Sequence, residues 1–174
     1  TGQCFHTHSN GKVEVQDTYS DLMIYDVENH KVYAEAARDT NDLDCFPFWS
    51  PDGKTLYYCS AHYEKFDTAQ ATTKEFDMIQ HYKEVRYSLY RRSFDIATRQ
   101  LGEREMVYDA AADSLSATLP RISPDGRWLL FTLGKYGVFH IWHKDADLCL
   151  LDLQSGQMRL MDELNSPDVD SYPS

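Results

Sequence analysis

Phe46-Pro47-Phe48-Trp49-Ser50-Pro51-Asp52-Gly53-Lys54 returns further along the chain as Leu119-Pro120-Arg121-Ile122-Ser123-Pro124-Asp125-Gly126-Arg127. A repeat of this kind marks a stack of similar supersecondary units, so it constrains architecture before any single element is considered. Ser50-Pro51-Asp52-Gly53 and Ser123-Pro124-Asp125-Gly126 both read as turns. Proline presets φ at the second position, aspartate can accept nearby backbone N–H groups, and glycine tolerates positive φ. Each turn leads into a strand-like run, Thr55-Leu56-Tyr57-Tyr58-Cys59 and Trp128-Leu129-Leu130-Phe131-Thr132-Leu133. Both read as buried β-strands entered through a hairpin.

A second element occurs three times. Tyr25-Asp26-Val27-Glu28-Asn29-His30 aligns with Phe94-Asp95-Ile96-Ala97-Thr98-Arg99 and with Leu151-Asp152-Leu153-Gln154-Ser155-Gly156. Each is a hydrophobic strand, an aspartate, a tight turn and a second strand. Asp26, Asp95 and Asp152 are assigned to backbone bonds inside those turns. The two hairpin types together make a four-stranded antiparallel blade. The expected fold is therefore all-β: a partial β-propeller of about two to three blades. Residues 1–174 divide into a half blade over about 1–36, a blade over about 45–106, a blade over about 119–162, and the start of another at 171–174, where Pro173 repeats the pattern. Gly53 and Asp95 are further apart than Gly126 and Asp152, and the excess falls around 67–85. There Thr72-x-x-Glu75 reads as a capping box, with Phe76, Ile79, Tyr82 and Val85 at roughly helical spacing, which predicts a short helical insertion.

Composition limits the partners. Seventeen Lys and Arg against 28 Asp and Glu give a net charge of −11, which argues against nucleic acid and anionic membrane surfaces. No apolar run approaches the length of a membrane span, so no membrane insertion is expected. The chain opens Thr1-Gly2-Gln3 without a signal-like apolar segment, which reads as a piece of a longer protein. Protein partners are expected, and open blade edges add self-association.

The candidate contact surface lies between the second inner hairpin and the strand after it: Tyr136, Phe139, His140, Trp142 and His143. Such loops decorate one end of a propeller, where partners bind, and Trp142 would be the aromatic anchor. The competing reading packs Phe139, Ile141 and Trp142 between blades; the two histidines are expected to be exposed. His6 and His8 share one side of a strand and would need a third ligand to hold a metal. Asp39-Thr40-Asn41-Asp42-Leu43-Asp44 resembles a calcium loop but lacks its central glycine and terminal glutamate, and reads as a solvated connection between blades. No metal and no cofactor is expected. A Cys45–Cys59 disulfide is geometrically conceivable and an envelope location would permit it, but a turn centred between Pro51 and Asp52 sets Cys45 opposite Tyr58, so the two should face opposite sides and the favoured reading is buried free thiols. No Gly-x-Ser-x-Gly elbow and no phosphate loop occurs, so no catalytic residue is assigned.

The two Ser-Pro-Asp-Gly-Lys/Arg hairpins, with the aromatic-aliphatic strands behind them, resemble the WD-repeat-like blades of TolB-type β-propellers from Tyr19 onward. Gly134-Lys135-Tyr136-Gly137-Val138-Phe139-His140-Ile141-Trp142-His143 looks like an element of TolB-like proteins of Bacteroidetes type. The resemblance implies a non-enzymatic, protein-binding scaffold of the bacterial envelope, periplasmic or otherwise extracytoplasmic. It carries over no binding residue, because the matching positions are structural turns. A Cys-x-x-Cys-His haem site is absent. The alternatives are the substrate-gating propeller of a serine peptidase whose catalytic domain lies outside this chain, and a propeller that binds a glycan or another ligand.

Overall fold

Both Ser-Pro-Asp-Gly segments close on themselves in the same way. The serine N–H donates across the hairpin mouth, Ser50 to the Thr55 carbonyl and Ser123 to the Trp128 carbonyl, each at 2.8 Å. Gly53 and Gly126 N–H groups return to the serine carbonyls at 2.9 Å. Asp52 and Asp125 accept from the serine hydroxyls and, at 3.1 Å, from the N–H of Lys54 and Arg127. Gly53 (φ +69°) and Gly126 (φ +74°) occupy the left-handed region, where a side chain would be strained. The turn satisfies its own polar groups, so it can sit in water while it aligns two strands.

The computed structural model describes residues 3–7, 13–34, 41–66 and 73–173. In the first blade, β5 (Asp42–Trp49), β6 (Thr55–His62) and β7 (Ser88–Asp95) run antiparallel; four strands, β1 to β4, precede them. The outer position is shared by β8 (Gln100–Leu101) and β9 (Glu105–Tyr108), which pair with opposite ends of β7. At the break between them Gly102 N donates to the Ser93 carbonyl at 2.8 Å. A Cβ at Gly102 would fall 2.1 Å from Ser93 Oγ, so a side chain there would force the serine hydroxyl to rotate away. The second blade is β10 (Ser116–Ile122), β11 (Trp128–Gly134), β12 (Asp147–Asp152) and β13 (Met158–Leu160), in sequence order. Strand β10 packs on β5, β6 and β7. Leu43, Cys59 and Leu89 of the first blade and Ala117, Leu129 and Phe131 of the second share one buried core. The architecture is that of a partial β-propeller with a helical insertion.

Near the start of the chain, β1 (Gln3–Thr7) pairs with β2 (Val13–Asp17), and β3 (Met23–Asp26) pairs with β4 (Lys31–Ala34). They form two separate two-stranded sheets, not one four-stranded blade. The linking segment is diverted: Ser20 bridges in parallel to Leu43, and its carbonyl accepts the Asp44 N–H at 3.2 Å.

That last bond recurs. Asp44, Ala117 and Asp170 each lie three residues before a proline: Pro47, Pro120 and Pro173. Each donates its N–H to a carbonyl far back in the chain: Asp44 to Ser20, Ala117 to Tyr87 at 2.8 Å, and Asp170 to Ala146 at 2.8 Å. The residue before each proline also shares one unusual conformation, with φ +50° at Phe46, +56° at Leu119 and +60° at Tyr172. In β5 and β10 this X-Pro pair is a β-bulge, across which the register shifts. The Asp hairpins repeat as closely. Asp26 accepts from the N–H of Glu28 and Asn29, Asp95 from Ala97 and Thr98, and Asp152 from Gln154. The fourth residue after each aspartate is left-handed: His30, Arg99 and Gly156. Arg127 also pairs with Asp152 at 2.8 Å, which holds that carboxyl down at about 2.

The bulge corrects the cysteine register. Phe46 and Pro47 together oppose a single residue of β6, so Cys45 stands directly across from Cys59 rather than Tyr58. Both are buried free thiols, as is Cys149. The Cys45 thiol donates to Asp17 Oδ2 at 3.2 Å, and the Cys59 thiol to the Cys45 carbonyl at 3.4 Å. The insertion holds one helix, α1 (Lys74–Gln80), capped by Thr73, whose Oγ1 accepts the Phe76 N–H at 3.3 Å. Thr72 lies outside the described residues, so the cap is placed one residue later than the spacing predicts. The buried face of α1 is also different: Asp77 and Met78 turn inward and Phe76 is exposed. Asp77 explains this, because its Oδ2 accepts from Tyr63 Oη at 2.8 Å and from the Phe66 N–H at 2.9 Å. A polar staple, not an apolar stripe, fixes the rotation of the helix.

Phe131 is fully buried between the blades. Phe131→Ala is expected to lower unfolding free energy by about 3–5 kcal/mol in a urea titration. Phe76→Ala, on the exposed side of α1, is expected to change it by less than about 0.5 kcal/mol.

Candidate functional site

The candidate loop leaves β11 at Gly134, and one buried side chain organises it. His140 is fully buried and lies against Gly134, where a Cβ would fall 3.1 Å from the imidazole ring. His140 Nε2 is 3.2 Å from the carbonyl oxygens of both Tyr136 and Gly137, and Nδ1 is 3.2 Å from Thr118 Oγ1. Carbonyls only accept, so Nε2 carries the proton and Nδ1 accepts from the threonine hydroxyl. The ring is neutral. Burial, then the neighbouring His143, push its pKa down to about 4. Further bonds brace the loop. Gly137 N donates to the Val85 carbonyl at 2.9 Å and Ser116 Oγ to the Gly137 carbonyl at 2.6 Å. The Lys135 N–H donates to Asp145 Oδ2 at 2.9 Å.

Of the predicted contact residues, the structure gathers Tyr136, His140 and His143 into one stack. The His143 ring is 4.5 Å from that of Tyr136 and 5.2 Å from that of His140. The histidines are buried, which overturns their expected exposure; their rings tie the loop to the β10–β11 hairpin instead of facing solvent. Phe139 turns inward, edge-on to Phe46 at 5.6 Å. Trp142 does the opposite. It sits on the 3-10 turn His140–Trp142 with 69% of its surface exposed, beside the exposed Ile141. The loop is thus rigid below and apolar at its tip.

The turn residues Ser50, Pro51, Asp52, Gly53 and Ser123, Pro124, Asp125, Gly126 lie at hairpin tips away from this loop. They serve the backbone, as do Asp26, Asp95 and Asp152. The segment 8–12, with His8, lies outside the described residues, as do the side chains of Cys4 and His6 and residues 39–40 of the calcium-like run. Asp42 and Asp44 of that run are not in a loop but begin β5. Among the described residues no group of three His, Cys, Asp or Glu side chains gathers as a metal site. No described helix is long and apolar enough to cross a membrane.

A second polar cluster was not singled out by sequence patterns. Asp42 pairs with Arg104 and, at 2.7 Å, with His62. The Arg104 guanidinium lies 3.7 Å above the Tyr90 ring, which stacks on Tyr58. Asp44 faces Ser60 across the ladder. The serine hydroxyl is near enough to favour the carboxylate, yet the two do not align as a hydrogen bond. Asp44 Oδ1, Ser60 Oγ and Arg104 Nε are all buried without a hydrogen-bond partner. Burial raises the Asp44 pKa to about 6. The sequence signal was available in the alternation Tyr58-x-Ser60-x-His62: one face of β6 turns polar towards its end.

No family model matches the sequence, and no curated protein matches it with significance. Among solved structures, oligogalacturonate lyase from Vibrio parahaemolyticus aligns at 14% identity over 82% of this chain and 30% of that one, with a TM-score of 0.44. A protein from Bacteroides ovatus assigned as a dipeptidyl aminopeptidase IV aligns at 13% identity over 92% of this chain and 28% of that one, with a TM-score of 0.42. Tricorn protease aligns at 14% identity over 91% of this chain and 20% of that one, with a TM-score of 0.28. The chain spans less than a third of the length of these structures. At this similarity the likeness carries no argument about activity.

His140 and Asp44 respond to pH with opposite signs. The folded state resists protonating His140, so its contribution is lost as pH falls from about 6.5 towards 4. The folded state holds the Asp44 proton more tightly than the unfolded chain, so its contribution is lost as pH rises from about 4 to 6. Chemical denaturation across pH should separate them. Asp44→Asn is expected to stabilise at pH 8 by up to about 3 kcal/mol and not at pH 4. His140→Gln is expected to make the acid-side fall between pH 6.5 and 4 shallower by up to about 3 kcal/mol relative to the parent.

Proposed function

We propose that this chain is the partner-binding part of a β-propeller, a non-enzymatic scaffold of the bacterial cell envelope of TolB-like type, acting outside the cytoplasm. The observation that carries the reading is the contrast within one loop. Two histidines are buried and Tyr136 is half-buried, while the indole beside them is exposed. A mobile loop would lose conformational entropy on binding; a braced one has already done so. A large, rigid, amphipathic side chain on a fixed turn is the residue type that anchors protein interfaces. The partner is accordingly a folded protein with an apolar pocket sized for an indole ring. The net charge of −11 favours a basic rim around that pocket.

A photoreactive phenylalanine analogue at position 142 tests this. It is expected to crosslink one envelope protein. The purified pair should lose at least about tenfold in affinity in Trp142→Ala, about 1.4 kcal/mol, while the melting temperature stays unchanged. Equal affinity in Trp142→Ala would sink the interface reading. Loss of folding in that variant would show that the indole packs against the protein itself.

A further inference from the structure

Cys45 and Cys59 stand opposite each other on β5 and β6, so their side chains leave the ladder on the same face. Both are buried in the core that the two blades share. The hydrogen-bond phase of the ladder is set beyond Asp42–His62, where the Tyr63 N–H donates to the Asn41 carbonyl at 2.8 Å. Two and four residues further in, Leu43–Ala61 and Cys45–Cys59 are therefore hydrogen-bonded pairs as well. Such a pair holds its Cα atoms about 5.5 Å apart, within the span of a disulfide. Its Cβ atoms stand wider than a relaxed disulfide prefers, so a bond made there is strained and more easily reduced.

In the dithiol form that the structure shows, each sulfur is used separately. Cys45 Sγ donates to Asp17 Oδ2 at 3.2 Å, with Ser20 Oγ 3.4 Å away, and Cys59 Sγ donates to the Cys45 carbonyl at 3.4 Å. Asp17 ends β2 and is itself buried, so the Cys45 thiol ties the first hairpin to the first blade. The same ladder position in the second blade, two residues before Pro120, holds Thr118 and Thr132. There the Thr118 hydroxyl is committed to His140. Blade geometry thus accepts a small polar pair at this place and does not demand two thiols.

We propose that Cys45 and Cys59 are a disulfide site that governs the attachment of the first hairpin. Oxidation breaks the two S–H bonds and joins the sulfurs; two electrons and two protons pass to an external disulfide, which leaves as two thiols. The route is thiol–disulfide exchange. One thiolate attacks the external disulfide and expels a first thiol, and the second cysteine then displaces the other from the mixed disulfide. Strands β5 and β6 are joined by a tight turn, so the two cysteines meet through a local contact, before the more distant β10 packs over them. Exchange belongs to that stage. Burial in the folded state pushes both thiols up and slows any later exchange. Once bonded to Cys59, Cys45 has no proton for Asp17, and β2 loses that tie. An extracytoplasmic compartment supplies the disulfide oxidant, so the biological use of the site rests on the location proposed above, whereas its chemistry belongs to the chain alone.

Refolding the purified chain from urea tests the chemistry. One sample refolds in a buffer of glutathione and glutathione disulfide, the other in excess dithiothreitol. Remaining thiols are then alkylated in denaturant and the peptides mapped by mass spectrometry. A Cys45–Cys59 link is expected in most chains of the first sample, and four alkylated cysteines in the second. Hydrogen exchange compares the two folded forms. Amides of Val13–Asp17 are expected to exchange at least about threefold faster in the linked form, while those of β11 exchange alike. The proposal is overturned if Cys45 and Cys59 are alkylated in most chains of the first sample, or if the link uses Cys4 or Cys149 instead. It is also overturned if Val13–Asp17 exchange at the same rate in both forms. Recovery of the native protein in the cytoplasmic fraction would overturn the location and leave these results standing.

Discussion

One hydrogen bond fixes how successive units stand against each other: the N–H of the residue three before the proline of each X-Pro pair, given to a carbonyl of an earlier segment. β5 and β10 are the first strands of their blades, so alternate N–H groups on them point away from the blade, and two of these go from Asp44 to Ser20 and from Ala117 to Tyr87. Proline suits the bulge since it has no N–H to leave unpaired. The residue before it takes a left-handed conformation that costs a non-glycine residue roughly 1 kcal/mol. The contacts beyond the bulge offset that strain, because β10 settles on β5, β6 and β7 and closes the core that contains Phe131 and Leu129. A straight inner strand would leave that face and its edge open.

The features legible in the sequence are those whose partners are close in the chain. Ser-Pro-Asp-Gly closes within five residues, and each Asp turn within four, so residue type alone prescribes their bonds. Even the left-handed position in the Asp turns is local, although His30 and Arg99 occupy it where glycine, as at Gly156, would be the simpler choice. The readings that needed correction depend on distant partners. The Cys45–Cys59 register turns on a bulge that Phe46-Pro47 permits but does not announce. The rotation of α1 follows from Asp77 reaching Tyr63 and Phe66, so a search for apolar spacing picks out Phe76 instead of Met78. His140 reads as a polar loop residue until Thr118, on another strand, gives its ring a place to be buried.

The candidate loop and the Asp44 cluster depart from blade regularity in opposite senses. Both ring nitrogens of His140 have a partner, and burial of that polar ring is converted into rigidity. Such an arrangement specifies one conformation and presents Trp142 from it. At the end of the first blade the polar atoms of Asp44, Ser60 and Arg104 remain partly unpaired, and burial of the carboxyl works against the fold above pH 6.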